Sequence, residues 1–226
     1  MNTTLTLKQQ RALDRERLRI SQDIHDDVGA RLTELILLSD LAQRSTARAN
    51  ELEAHIGRLS TVAREVARDL NAIVWAVNPH HDSTDSLAAY IFQYAKRYLD
   101  TASVRCRLEA PEELPHWPLA PDVRHNLFLV VKEALNNIVK HSRASEAVVS
   151  LEAANSTLLL TIQDNGRGFS PADSCACGNG LKNMQRRVRD ISGRFELRSR
   201  SGQGTQIQVR LRVKTSVGHA YKRCSG

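Results

Sequence analysis

The sequence predicts two domains, an N-terminal all-α helical hairpin and a C-terminal α+β two-layer sandwich. Three observations support this prediction. Residues 1–78 contain no proline and carry apolar residues at helical spacing. Residues 87–213 mix amphipathic helices with alternating strands. Between them, residues 79–86 read "PHHDSTDS" and are expected to form a linker, because Pro79 ends the preceding helix. A chain of 226 residues is long enough for two such domains.

Helix is expected over residues 5–78, with a break near 46–51. Narrow apolar stripes on two helices are poorly buried by a lone hairpin, so the sequence favours a homodimer that forms a four-helix bundle. The alternative is a monomeric hairpin packed on the rest of the chain. The second half of the region carries a heptad seam, in which spacings of four and three alternate, and the first half carries a matching stripe. The seam comprises Leu52, Ile56, Leu59, Ala63, Val66, Leu70, Ile73 and Val77, and the stripe comprises Ile20, Ile24, Val28, Leu32, Leu35, Leu38 and Ala42.

The C-terminal domain is expected to contain largely antiparallel strands and three helices. A tail at residues 214–226 has no periodicity and is expected to be disordered. The predicted helices cover residues 86–99, 122–142 and 180–192, and the predicted strands cover 103–109, 146–154, 157–164, 194–200 and 204–213.

Composition and charge exclude several classes of protein. The net charge is +7, but the basic residues look interspersed with acids along helices, so nucleic acid is not an expected partner. A basic surface would also suit a nucleotide or an acidic partner protein. Only Cys175 and Cys177 are close together, which favours free thiols over a zinc site. No apolar run is long enough to span a bilayer, and no signal peptide is recognisable. A cytoplasmic chain is expected, and it could be the cytoplasmic part of a membrane-bound sensor.

Four short motifs in the second domain carry polar residues or glycine. The first, "EALNNIVKH", places Glu133, Asn137 and His141 on one helical face, with Lys140 adjacent. Amide and carboxylate oxygens suit Mg²⁺, and lysine suits a phosphate. The second motif, "DNGRGF", follows an apolar strand. It offers Asp164 as a hydrogen-bond acceptor and provides backbone freedom at Gly166 and Gly168.

The third motif, "GNGLKNM", places Gly178 and Gly180 before a helix N-terminus, which presents free N–H groups to phosphate. The fourth, "GQGTQIQV", places Thr205 at the start of the last strand. Each motif alone is weak evidence, and neither a P-loop nor a dinucleotide fingerprint is present. Their order within one mixed domain makes nucleotide binding the expected function.

Residues 122–213 resemble the ATP-binding domain (GHKL-type, HATPase_c) that is shared by sensor histidine kinases, gyrase, Hsp90 and the mismatch-repair ATPases. "KEALNNIVKHS", "DNGRGF" and "GNGLKNM" resemble its N, G1 and G2 boxes, and "GT" its last conserved pair. "ERLRISQDIHDDVGARL", residues 16–32, resembles the H box of the HisKA_3-type histidine kinases. "WAVNPHHDS" is also typical of that subfamily. The resemblance implies a Bergerat-type fold behind a dimerisation and phosphotransfer hairpin.

The resemblance also implies roles for individual residues. His25 is the implied phosphoacceptor, which passes its phosphate to an aspartate on the receiver domain of a response regulator. Asp26 would fix the tautomer of the imidazole and leave Nε2 free to attack, and Glu133 would assist the attack or orient a metal-bound water. The cofactors implied are ATP and Mg²⁺, with Asn137 as the metal ligand. The implied nucleotide-binding residues are Asn137, Lys140, His141, Asp164, Gly166, Gly168, Gly178, Gly180, Leu181 and Thr205.

Two features of the sequence depart from the family pattern. The lid "SPADSCACGN" holds no basic residue, so phosphate contacts are expected from Lys182 or from backbone amides. Ala30 stands five residues after His25, where many members carry a glutamine that orients water for dephosphorylation of the regulator. Two rival hypotheses remain: an Hsp90- or gyrase-type ATPase with Glu133 as the hydrolytic base, and a dimeric scaffold with a decayed site. The H box argues against the first rival, and the intact ATP motifs argue against the second.

Overall fold

The computed structural model describes residues 32–40, 49–78, 82–170 and 179–213. The chain divides into two compact units, residues 1–78 and 79–226, which are described separately below. His25, Asp26, Ala30 and the tail 214–226 lie outside the described residues.

The described part of the first unit is helical, over residues 32–40 (α1) and Ala49–Val77 (α2). Arg58 of α2 forms an ion pair with Glu34 of α1, with Nη2 2.9 Å from Oε1. The two helices therefore lie side by side. None of the described helices is both long enough and apolar enough to cross a membrane.

The apolar residues of α2 differ in how far the single chain buries them. Val62 and Val66 are buried within the single chain, whereas Ile56 is 55% exposed and Leu70 is 44% exposed. Val62 was not among the predicted seam residues. The seam was predicted as the contact between two copies, so the exposure of Ile56 and Leu70 in the single chain leaves it a prediction.

The second unit is a five-stranded sheet with three helices packed on one face, which confirms the predicted α+β two-layer sandwich. The strand order is β1-β2-β3-β5-β4, and all neighbours are antiparallel except the parallel pair β1 and β2. Alternate residues of β2 and β3 are buried, as expected where one face of the sheet is covered. The elements are α3 (Thr84–Thr101), β1 (Arg105–Glu109), α4 (Pro121–Asn137), β2 (Glu146–Ala154), β3 (Thr157–Asp164), α5 (Asn179–Asp190), β4 (Arg194–Ser199) and β5 (Thr205–Arg212).

Two element bounds differ from the predictions. The expected linker 79–86 is too long, because α3 already begins at Thr84. Thr84 is buried; its hydroxyl donates to the carbonyl of Pro115, and its backbone N–H donates to the carbonyl of Trp117 at 3.1 Å. The expected helix 122–142 is α4 followed by a π-helical turn, Ile138–Ser142.

The sequence was expected to show basic residues interspersed with acids. This expectation does not hold along the whole chain. Residues 182–213, which form most of α5 with β4 and β5, contain nine Lys or Arg against two Asp or Glu. This segment carries a net charge of +7, equal to that of the whole chain. On the sheet, Arg194 of β4 lies directly opposite Arg210 of β5.

Candidate nucleotide-binding site

A cavity of about 570 Å³ lies between α4, the β3–β5 pair and the start of α5. Gly166 lies beside it, next to Asp164, and Gly178 is outside the described residues. The structure thus brings residues from all four motifs to one place. Nine residues singled out from the sequence line the cavity: Glu133, Asn137, Lys140, His141, Asp164, Gly168, Gly180, Leu181 and Thr205.

One wall of the cavity is the polar face of α4. Glu133 and Asn137 stand one turn apart, and the π-helical turn that follows carries Lys140 and His141 along the same wall. This turn ends at Ser142, whose hydroxyl donates to the carbonyl of Ile138 at 2.7 Å. The carbonyl of Ser142 accepts the backbone N–H of Arg167 at 2.8 Å. The end of the helix is therefore tied to the glycine-containing loop after β3.

The floor of the cavity is formed by β3 and β5. Ile162 and Ile207 are direct cross-strand partners, and Asp164 and Thr205 form another cross-strand pair two residues along. Asp164 is only 5% exposed, and its Oδ1 accepts the backbone N–H of Gly166 at 2.8 Å. Burial raises the pKa of Asp164, while the backbone N–H groups of Gly166 and Thr205 act in the opposite direction. A buried acceptor beside apolar side chains can recognise the amino group of a purine.

Ser199 at the end of β4 holds this floor together. Its hydroxyl donates to the carbonyl of Gly204 at 3.1 Å and accepts the backbone N–H of Phe169 at 2.9 Å. The hydroxyl proton of Ser199 is already donated to Gly204. The hydroxyl of Thr205, 3.0 Å away, therefore donates to the hydroxyl oxygen of Ser199. Thr205 is left with lone pairs to offer to the cavity. Ser199 belongs to none of the four motifs, because no short spacing links it to its partners.

Close backbone approach explains two glycines of the site. A Cβ at Gly180 would overlap with Oε1 of Glu133, so any other residue there would displace the carboxylate end of that side chain. Gly204 has a φ of +76°, and a Cβ there would overlap with the carbonyl oxygen of Asp164. The glycines of the third and fourth motifs therefore contribute backbone shape, beside the side chains of Leu181 and Thr205 that line the cavity.

The lining residues that were given no role from the sequence include Asn136, Arg167 and Phe169. Arg167 lies within "DNGRGF", so its place in that motif was an available signal. Lys182, the expected phosphate contact, is exposed and is not among the residues that line the cavity. The cations that do line it are Lys140 and Arg167. The cavity thus combines an apolar floor, formed by Ile162 and Ile207, with positive charge.

A metal ion could be held here only with help from a ligand. No three His, Cys, Asp or Glu side chains come together as a metal cluster among the described residues. Glu133 and Asn137 nevertheless supply oxygen atoms on one wall of the cavity. Mg²⁺ typically takes few protein ligands and completes its shell with phosphate oxygens and water. The donor set therefore fits Mg²⁺ carried by a nucleoside phosphate.

Comparison with known proteins agrees with the geometry. Residues 122–215 match the family of histidine kinase-, DNA gyrase B- and HSP90-like ATPases (HATPase_c), and residues 16–82 match the histidine kinase family HisKA_3. Sensor histidine kinase LiaS of Bacillus subtilis is 27% identical over 202 residues, which are 89% of this chain and 55% of LiaS. Sensor protein VraS of Staphylococcus saprophyticus is 24% identical over 214 residues, which are 95% of this chain and 60% of VraS.

The chain spans little more than half the length of these relatives. A solved structure of full-length ShkA in complex with AMPPNP superposes with a TM-score of 0.58 at 13% identity, over 88% of this chain and 46% of that one. This likeness shows a shared fold. With one family matching the hairpin and the other matching the sheet domain around the cavity, the chain belongs to the two-component sensor histidine kinases that combine a HisKA_3 domain with a HATPase_c domain.

Proposed function

We propose that the chain is an ATP-dependent protein histidine kinase, which phosphorylates itself on His25 and passes the phosphate to an aspartate of a response regulator. The observation that carries the proposal is that residues from four separate motifs line one cavity with a buried carboxylate at its floor. The H box at residues 16–32 supplies the acceptor histidine.

In the proposed complex, the carboxylate of Asp164 accepts a hydrogen bond from the adenine amino group. Ile162 and Ile207 lie on the floor beside it, where an apolar base can pack. The triphosphate then extends towards Lys140 and Arg167, whose charges offset its own. Asn137, with help from Glu133, would hold Mg²⁺, which would neutralise charge on the phosphates. Phosphoryl transfer needs mainly such positioning and charge neutralisation.

The acceptor is expected to be neutral at physiological pH, because an unperturbed imidazole has a pKa of about 6.5. We propose that Asp26 accepts from the Nδ1–H of His25, which leaves the Nε2 lone pair free to attack the γ-phosphate. The Nε2–P bond forms as the bond from phosphorus to the bridging oxygen of ADP breaks. The phosphohistidine then serves as donor to the regulator.

We further propose that the active form is a homodimer and that it works in the cytoplasm. The exposed apolar side chains of Ile56, Leu70 and Val74 on α2, and of Ile36 and Leu37 on α1, support a second copy as the partner of the hairpin. Burying them against their counterparts in an isologous contact would complete a four-helix bundle.

Incubation with γ-labelled ATP tests the proposal. A label that is lost in acid and stable in alkali is expected, because phosphohistidine has this stability and phosphoserine has the reverse. His25→Gln should abolish the label without changing ATP binding. His55→Gln, which alters a histidine on α2 of the same unit, is the matched control and should label normally. Labelling that survives His25→Gln refutes the acceptor, whereas phosphate release without any label would favour the gyrase- or Hsp90-like ATPase.

A further inference from the structure

Asn136 is a cavity residue whose role the motifs do not assign. It lies on α4 three residues after Glu133 and four before Lys140, a spacing that places all three side chains on neighbouring parts of one helical face. Its side chain is partly exposed and lines the cavity next to Asn137.

The amide of Asn136 is oriented from behind by a tyrosine. The hydroxyl of Tyr98, on α3, donates to Oδ1 of Asn136 at 3.3 Å, a long hydrogen bond. Tyr98 is itself held by packing: its ring stacks on Tyr94, with centroids 5.7 Å apart, and Tyr94 packs edge-on against Phe128 of α4 at 4.9 Å. The ring position is therefore fixed by contacts that do not depend on the cavity.

The two ends of an amide differ in chemistry, so this contact indicates which end of Asn136 is left for a ligand. A carboxamide has one oxygen that accepts and one –NH₂ that donates twice. Because Tyr98 donates to the oxygen, the –NH₂ of Asn136 is the end that remains for a ligand. It makes no hydrogen bond to any side chain or backbone group of the described residues. Donors beside the cations Lys140 and Arg167 suit an anion.

We propose that Asn136 contacts the phosphate chain of the nucleotide through its –NH₂ group, with Tyr98 as its positioning residue. The inference rests on the proposed ATP binding and goes beyond it, because it divides the two adjacent asparagines between two ligands. Asn137 provides an oxygen ligand to Mg²⁺, and Asn136 donates a hydrogen bond to phosphate.

The decisive variants change the donor and keep the shape. Asn136→Asp retains the size of the side chain and an oxygen for Tyr98, but it replaces the –NH₂ with a charged acceptor that repels phosphate. Asn136→Ala removes both groups. Affinity is measured for ATP and for adenosine, each competing against a fluorescent ATP analogue in the presence of Mg²⁺. Gln93→Ala, at an exposed amide on α3, is the matched control.

We expect Asn136→Ala to weaken ATP binding by about ten-fold, the lower end for a hydrogen bond to a charged group, and Asn136→Asp to weaken it further. Adenosine affinity should change by less than about two-fold in both variants, because adenosine lacks phosphates. Tyr98→Phe keeps the ring and should weaken ATP binding by about two- to three-fold, as the hydrogen bond it removes is long. Tyr94→Phe should leave the ratio of ATP to adenosine affinity unchanged.

The ratio of the two affinities separates a phosphate contact from a structural role, since a distorted helix would weaken both ligands. Equal losses for ATP and adenosine, or no loss for either, overturn the inference while ATP binding stands. Tighter Mg²⁺-ATP binding by Asn136→Asp also overturns it, because it would place the residue at the metal. If the unmodified protein binds no ATP, the proposed function itself fails.

Discussion

Replacing Asp164 by asparagine tests the recognition of adenine most directly. The carboxylate accepts from the backbone N–H of Gly166 at 2.8 Å, and the N–H of Thr205 also stabilises its charged form. An asparagine in the same place has one acceptor and one donor end. Whichever way the amide is turned, its –NH₂ meets a backbone N–H or the adenine amino group. Asp164→Asn therefore removes an acceptor and sets two donors against each other.

The expected loss of ATP affinity is about 1.5 to 3 kcal/mol, the range for a hydrogen bond to a charged group, or roughly ten- to a hundred-fold in Kd. Adenosine should lose affinity by the same factor as ATP, because the contact is to the base. The preference for ATP over GTP should also shrink, since a carboxylate repels the guanine carbonyl whereas an –NH₂ can donate to it. Titration with fluorescent analogues of both nucleotides measures the two effects.

A pH series on the same pair of proteins gives an independent check. Burial raises the pKa of Asp164, so the folded protein holds a proton on this group more readily than the unfolded chain does. Its charged form is a cost to the folded state at neutral pH, and this cost disappears as the pH falls through the raised pKa. Stability of the unmodified protein should therefore rise relative to Asp164→Asn on acidification.

The binding result decides whether Asp164 belongs to the site. If a folded Asp164→Asn protein keeps both its ATP affinity and its preference for ATP over GTP, this residue does not contact the base.

Three further changes test other parts of the structure. Replacing Ile56 and Leu70 together by glutamate should yield folded monomers in light scattering, because both positions are exposed in the single chain and a dimer would bury the new charges. An unmodified protein that is already monomeric would contradict the dimer. Gly180→Ala should displace the carboxylate of Glu133 and lower the rate of histidine labelling by about ten-fold or more, as misplacement within a site does, whereas an unchanged rate would show that this close approach is unimportant. Ala30→Gln should raise the loss of phosphate from a phosphorylated regulator, assayed with ADP present, because a methyl group cannot align a water; robust dephosphorylation by the unmodified protein, unaffected by the change, would point to another group.

Strand positions in the second unit were predictable from local patterns. The bounds of β2 and β3, Glu146–Ala154 and Thr157–Asp164, agree with the predicted strands. Alternation has a strict period of two, and the turn between them contains Asn155, which tolerates its positive φ. A pattern of this kind leaves little freedom for the register, because a shift by one residue would expose the buried face.

Long-range contacts in the cavity were not predictable in the same way. Ser199 reaches Phe169 across 30 residues, and Tyr98 reaches Asn136 across 38, so no spacing within a motif relates them. The helices pose a related difficulty: a period near 3.5 marks the apolar residues of α2 but does not say which neighbour each one meets. Such assignments depend on the folded topology, which local periodicity does not contain.

The pair formed by Arg194 and Arg210 has a consequence for the response of the protein to salt. Like charges that face each other across antiparallel strands are destabilising by a few tenths of a kcal/mol up to about 1 kcal/mol. The cost is compounded by the net charge of +7 in residues 182–213. Screening shortens the reach of such repulsion from about 30 Å at 0.01 M salt to about 8 Å at physiological ionic strength. Screening also weakens exposed ion pairs such as that of Arg194 with Glu196, at 3.0 Å, but basic residues outnumber acids nine to two in this segment. The thermal stability of the second unit should therefore increase as salt is added.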